Sequence, residues 1–168
     1  SEFYITNISV REIPGNHLFQ ATSTARPLLS GRRNTLTYTE DFSNGIWVID
    51  LSGAATLTKT IGQADPFGTA TAVRLVASAS PGSWAGFRYD AELTSEQVIR
   101  SAYIKSNTGV GYSMYLDDTI ITLSADTEWH RYEVSESQFS WGTRFQFAVN
   151  ADVTVAFPQM EFGTQLTT

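Results

Sequence analysis

Alternation with a period of two constrains this chain more than any other feature. Phe145, Phe147 and Val149 alternate with Arg144, Gln146 and Ala148, and Val153, Val155 and Phe157 alternate with Thr154 and Ala156. Successive side chains of an extended strand point to opposite faces, so this pattern gives a strand one buried face and one wet one. Phe87–Tyr89, Tyr112–Met114–Leu116 and Tyr132–Val134 read the same way, with shorter runs at Val73–Val76 and Ile120–Leu123. Thr, Val, Tyr, Phe and Trp fill these runs, and all suit a pleated, half-buried surface. Turn formers part them at short intervals: Ser43–Asn44–Gly45, Ser52–Gly53, Asp65–Pro66–Phe67–Gly68, Ser80–Pro81–Gly82 and Asn107–Thr108–Gly109. Asp117–Asp118 reads as a hairpin turn, because Asp tolerates positive φ. Many short strands separated by turns specify an all-β fold, an antiparallel β-sandwich. One helical stretch is expected, Leu93–Ile99, with Thr94 and Gln97 as its capping box.

The first fifth of the chain reads differently. Tyr4–Glu12 looks like one isolated strand whose apolar residues are Ile5, Ile8 and Val10, and Pro14–Arg33 has no sustained period and reads as a linker. Residues 1–33 are therefore expected to form an extended N-terminal arm and residues 34–168 a single domain. Arg32–Arg33 marks a protease-sensitive boundary between them. A chain of 168 residues has room for one such domain.

Composition narrows the chemistry. Eleven Lys and Arg against 17 Asp and Glu give a formal net charge of −6, so phosphate backbones and anionic membranes exert no diffuse attraction. Nucleic acid is not an expected partner. No run approaches the ~18 apolar residues of a spanning helix, so no membrane insertion is expected, and no signal peptide is read. The absence of cysteine excludes disulfides, thiolate zinc and cysteine catalysis. Only two histidines occur: His17 falls in the linker, and His130 reads as a surface or satisfied side chain. No G-x-S-x-G elbow exists, and the acids show no pattern that would pair two of them across a cleft. No enzyme is expected.

Five segments in order carry a resemblance. Asn34–Val48 (NTLTYTEDFSNGIWV) is similar to the opening of phage and prophage tail-associated jelly-roll modules, which has the form N-L-L-x-x-S-E-x-F-x-x-x-x-W. Asp65–Leu75 (DPFGTATAVRL) resembles their D-P-x-G-x-x-x-A-x-x-L segment, Ser101–Lys105 (SAYIK) their S-x-Y-x-K strand and Glu128–Tyr132 (EWHRY) their x-W-x-R-Y strand. Val155–Thr164 (VAFPQMEFGT) resembles the closing Q-x-E-x-G. Tyr4–Glu12 is similar to the last strand of such a module, so the chain reads as the tail of one module followed by the whole of the next.

The resemblance implies a jelly-roll topology and kinship with carbohydrate-binding, galactose-binding-like β-sandwich modules. It implies a virion appendage on the phage particle: a tail fibre, tailspike or head fibre. Such a module binds host cell-surface polysaccharide without catalysis, and its further partners are a homotrimer and neighbouring modules of the same fibre. Two alternatives stay open: a purely structural spacer or oligomerisation module, and a carbohydrate-binding module of a secreted bacterial enzyme.

Candidate residues follow from position. Trp47 and Trp129 fall on the Trp positions of the resembling modules and are expected in the core, as are Phe42 and Tyr103. Trp84 and Trp141 sit in Gly- and Ser-rich surroundings, and two readings stand for them. Either they present a ring face to the C–H groups of a sugar, or they plug a sandwich end or a subunit contact. Arg88, Asp90, Arg144 and Gln146 are the polar residues expected nearby to read hydroxyls. Tyr112 and Tyr115 are expected on opposite faces of one strand, so one extends the platform. Related jelly rolls often hold a structural calcium ion, for which Glu40, Asp41, Asp65 and Glu161 are the candidate oxygen ligands.

Overall fold

The computed structural model describes residues 34–90, 97–136 and 143–162. The arm of residues 1–33, with its expected strand and linker, and Trp141 lie outside the described residues. Among the described residues ten strands follow one another: β1 (Trp47–Ser52), β2 (Thr56–Gln63), β3 (Ala72–Ser78), β4 (Trp84–Tyr89), β5 (Val98–Ser106), β6 (Ser113–Leu116), β7 (Thr119–Thr122), β8 (His130–Glu136), β9 (Arg144–Phe147) and β10 (Ala151–Phe162). They form two five-stranded sheets, one in the order β1-β4-β9-β6-β7 and the other β2-β3-β10-β5-β8. All pairings are antiparallel. Consecutive strands repeatedly cross between sheets, which gives the jelly-roll sandwich expected from the sequence.

The core lies where the two inner faces meet. Phe87, Phe145 and Phe147 from the first sheet face Leu75, Ile104, Val153, Val155 and Met160 from the second, all fully buried. Each such side chain contributes roughly 1.5–3 kcal/mol relative to exposure. Trp47 stacks on Phe87 at 5.4 Å and meets Tyr89 edge-on at 5.2 Å, with Phe42 completing the cluster. The indole nitrogen of Trp47 donates to the Tyr38 carbonyl at 2.9 Å, so the buried ring keeps its polar edge satisfied. Trp47 and Phe42 are thus core residues, as expected. The opening residues are fastened to the last strand: Thr35 N donates to Met160 O at 2.8 Å, and Met160 N donates to Asn34 Oδ1 at 2.9 Å.

Four expectations need correction. Val98 and Ile99, assigned above to a helix, begin β5, where they pair with Glu136 and Ser135. The strand is buried on both faces over its first five residues, and that continuous burial outweighs the local capping signal. Residues 93–96 of that expected helix lie outside the described residues. Tyr103 is half-buried on the outer face of the second sheet, one residue out of phase with core Ala102 and Ile104. Trp129 stands just before β8, half-buried beneath the Lys105 ammonium at 5.1 Å. Phe157, assigned by alternation to the buried face, falls at a register shift between Ala156 and Gln159 and has φ +47°. That bulge inserts an extra residue, so Val153 and Val155 point inward before it and Met160 after it.

Asp117 and Asp118 form the two-residue link between β6 and β7, and Asp117 has φ +56°. Beneath this turn lies a buried ion cluster. Arg100, on the inward face of β5, reaches Asp117 Oδ2 at 2.9 Å and pairs with Glu136 of β8. Glu136 Oε1 also accepts from Asp118 N at 3.2 Å and Thr119 Oγ1 at 2.9 Å. Side chains of both sheets thus meet in one polar knot.

Candidate functional site

Register places the predicted platform on the outer face of the first sheet. Residues directly opposite in an antiparallel pair share a face. Arg88 opposes Arg144, Gly86 opposes Gln146, and Tyr115 opposes Gln146 from the other side. The inward neighbours Ala85, Phe87, Phe145 and Phe147 are in the core, so Trp84, Arg88, Arg144, Gln146 and Tyr115 all face outward. Five residues scattered over sequence positions 84 to 146 become one surface. Tyr115 also opposes Ile120 of β7, which is 59% exposed and extends the face with an apolar side chain.

Trp84 lies along the sheet instead of standing off it. A Cβ built on Gly86 would sit 3.2 Å from Trp84 Cζ3 and 3.3 Å from the Asp50 carbonyl, so the indole occupies the space a side chain at 86 would need. The Arg144 guanidinium lies 6.0 Å from the Trp84 ring centroid, at the outer reach of a cation–π contact. Arg144 Nη2 donates to Asp118 at 3.0 Å, while its Nε is a buried donor with no partner. Arg88 is held between Asp50 at 3.7 Å and Asp90 at 3.3 Å. The face therefore combines one ring surface with anchored guanidinium and amide groups, all presented from strands.

Tyr112 is not part of it. It precedes β6, packs against the core and shares a 2.6 Å hydrogen bond with Thr108 through its hydroxyl. Tyr112 and Tyr115 were expected on opposite faces of one strand, but Tyr112 falls before β6, and Tyr115 alone is on the platform.

The four acids named for calcium are not gathered. Among the described residues no group of three or more His, Asp or Glu side chains is placed to hold a metal ion. Asp41 is exposed and accepts from Ser43 N at 3.1 Å, and Glu161 is buried in β10. Asp65 is consumed by its own loop. Its Oδ1 accepts from Phe67 N at 2.7 Å and Thr69 N at 3.2 Å, and its Oδ2 accepts from the hydroxyls of Thr69 and Thr71. Burial acts to raise the Asp65 pKa, but these four donors outweigh it and hold the carboxyl below its usual range.

Other titratable groups have structural partners. His130 Nε2 lies 2.9 Å from the Asp126 carboxylate, whose pKa that bond lowers. Asp152 is likewise held low, first by its bond to Arg74. Asp117 goes the other way: burial, opposed by Arg100 and reinforced by neighbouring Glu136, pushes its pKa up to about 7.

On the opposite sheet, Phe67, Tyr103 and Phe157 converge around a groove that sequence reasoning did not find. Phe67 lies within a turn signal, the resemblance assigns Tyr103 to the core, and alternation assigns Phe157 to a buried face. The positive φ and register shift at Phe157 have no composition signature, though the Pro158 that follows it was a hint of irregular pairing.

No protein-family model matches the sequence, and no curated protein matches it either. Solved structures do. The family 11 carbohydrate-binding module of the cellulosomal cellulase Lic26A-Cel5E of Clostridium thermocellum superposes with a TM-score of 0.55 at 13% identity, covering 82% of this chain and 97% of that one. The Clostridium thermocellum family 11 module in complex with a β-1,3-1,4-mixed-linked tetrasaccharide gives 0.54 at 11% identity, over 81% of this chain and 98% of that one. The enzymatically active domain of tailspike protein 4 of bacteriophage CBA120 gives 0.48 at 12% identity, over 77% of this chain and 21% of that one, a likeness too loose to fix a fold. The chain thus shares the jelly-roll β-sandwich fold of these two modules.

Proposed function

We propose that this chain is a non-catalytic carbohydrate-binding module of a phage appendage and that it holds host surface polysaccharide on the outer face of the β1-β4-β9-β6-β7 sheet. The observation that carries the binding role is the convergence of Trp84, Arg88, Arg144, Gln146 and Tyr115 on that face. A sugar ring lies against the Trp84 indole through its C–H groups. Gln146, at the centre of the row between Gly86 and Tyr115, and the solvent-facing part of the Arg144 guanidinium read its hydroxyls. An apolar surface with a few anchored polar groups is the usual composition of a ligand site. The fold is shared with modules that bind saccharides, one of them solved with a tetrasaccharide, and this supports the same reading.

The placement on a virion rests on the five sequence segments that resemble phage tail-associated modules. Weak contacts by single modules become firm adhesion when several copies act together, because each later contact is intramolecular. Solution mass bears on this part: a trimer supports a fibre module, and a monomer supports a module appended to a secreted enzyme.

A bacterial glycan array tests the binding role, using the 168-residue chain beside Trp84→Ala and Gln146→Ala variants whose β-sheet circular dichroism matches the parent. The parent is expected to bind, and Trp84→Ala to weaken binding about ten-fold, roughly 1.4 kcal/mol. Binding that is unchanged in both variants would remove the site from this face. A parent that binds no glycan on the array or on intact host cells would favour the spacer reading.

A further inference from the structure

We infer that the groove on the opposite sheet is a second saccharide site, selective for a sugar that carries a methyl group. The inference rests on the proposed carbohydrate-binding role and extends it to a face that role does not use.

The groove encloses about 610 Å³. Its apolar part is three rings from three separate segments: Phe67 from the loop before β3, Tyr103 from β5 and Phe157 from the β10 bulge. Phe67 lies 5.4 Å from Phe157 and 6.0 Å from Tyr103, and Tyr103 lies 6.5 Å from Phe157. The rings are inclined to one another at 46°, 73° and 89°, so they enclose a corner and do not make a flat platform. Phe67 is 71% exposed, a large apolar surface held in water. It is held there firmly, since its own amide is one of the four donors bound by Asp65. A non-glycine residue at positive φ and a bulge are together a strained arrangement, of the kind that re-aims a side chain beside a site.

The rest of the wall is polar and ordered. Arg131 Nη2 donates to Gln159 Oε1 at 3.0 Å and to Ser101 Oγ at 3.2 Å, and Ser101 Oγ donates to Gln159 Oε1 at 3.3 Å. Two donors thus fix the Gln159 oxygen, which turns its Nε2 donors away from them and toward a ligand. Arg131 is further steadied by Glu133 at 3.4 Å, and exposed Glu40 lines the groove with an acceptor.

This arrangement differs in kind from the Trp84 face. One flat indole suits the broad face of a sugar within a chain. A corner of three rings suits a compact apolar group approached from several sides, and on a sugar that group is a methyl. Two sources supply one: the acetyl group of an N-acetylated amino sugar, and the C6 methyl of a 6-deoxy sugar. The neighbouring donors and acceptor then meet the amide or the ring hydroxyls.

The test is a titration of the ¹⁵N-labelled chain with N-acetylglucosamine, with fucose and with glucose, followed by amide shifts. N-acetylglucosamine or fucose is expected to move Phe67, Tyr103, Phe157 and Gln159, with glucose at least about ten-fold weaker, and the stronger of the two identifies the methyl source. Phe67→Ala should weaken that response about ten-fold, and its exposure makes the variant safe for folding; Trp84→Ala should leave it unchanged. Equal response to all three sugars, shifts confined to the Trp84 face, or a silent groove would each overturn the inference. The last two results, obtained with a parent that still binds polysaccharide through Trp84, would leave the proposed function standing.

Discussion

The two outer faces of this sandwich are built from the same materials by different means. On one, Trp84, Arg88, Arg144, Gln146 and Tyr115 sit on straight, regularly paired strands, and their common orientation follows from counting by twos. On the other, Phe67 comes from a capped loop and Phe157 from a bulge, and only Tyr103 is in plain strand register. Regular pairing makes a flat, extended surface; irregular pairing makes a corner. The first suits a polymer lying across it and the second a single group entering it.

Both faces depend on the same buried knot, so the largest effect comes from removing what they share. Arg100→Ala leaves Asp117 and Glu136 as buried acids without their cation, a change that typically costs about 3–5 kcal/mol. The expected result is an unfolding free energy, from urea titration, lowered by that amount, with saccharide response lost at both faces together as the population unfolds. A variant that unfolds at the parent's midpoint, or loses one face and keeps the other, would show that the sheets are not coupled through Arg100.

The contrast between the faces also explains what was legible in the sequence. The all-β sandwich followed from alternation in β6, β8 and β9 and from turn residues such as Asp117–Asp118. The first face followed too, because period-two arithmetic assigns Arg88, Arg144 and Gln146 to the side opposite Phe87, Phe145 and Phe147. That arithmetic failed where its premise did. It carried Phe157 inward because one inserted residue reverses every later side chain, and nothing in Val-Ala-Phe-Pro states that the insertion falls there. The core expectation for Tyr103 and Trp129, which rested on their places in the resembling modules and not on alternation, failed as well, since an aromatic side chain is apolar whether it enters the core or lies on the outer face. The sequence does not reveal that Asp65 is bound by its own loop, because its four hydrogen-bond donors, three of them from Thr69 and Thr71, appear only once the loop closes on it.

A smaller effect, that of pH, acts through the knot. In the folded chain burial lets Asp117 hold its proton up to about pH 7, whereas the ordinary value for the group is 3.8. Between those values the folded state binds more protons than the unfolded one, so this group's contribution to stability declines as pH rises from about 4 to 7. Asp126 and Asp152 have lowered values, and their contribution is present above about 4 and is lost below it. These groups together place the best stability near pH 4 to 5. Urea midpoints taken from pH 4.5 to 7.5 should fall for the parent and stay level for Asp117→Asn. Asn tolerates the positive φ of that turn and carries no proton to lose. A parent whose midpoint rises across this range would show that Arg100 and not burial governs Asp117.

The smallest effect on folding gives the sharpest separation of the two faces. Gly86 has no side chain because the Trp84 indole lies across it, and an added Cβ would sit 3.2 Å from Cζ3 of that ring. The ring is half-buried and has solvent beside it, so in Gly86→Ala it is expected to swing outward at a cost within about 1 kcal/mol. The sugar-facing geometry of Trp84 and its approach to Arg144 would be lost without touching either residue. Polysaccharide binding should then fall about as far as in Trp84→Ala, while the groove formed by Phe67, Tyr103 and Phe157 on the far sheet responds to its sugar as in the parent. Because Gly86→Ala removes no atom from the ligand surface, a loss of binding would come from displacement of the ring or of the β1 backbone at Asp50, whose carbonyl would lie 3.3 Å from the added Cβ. Unchanged binding would instead mean that Trp84 needs only to be present on that face, in whatever pose.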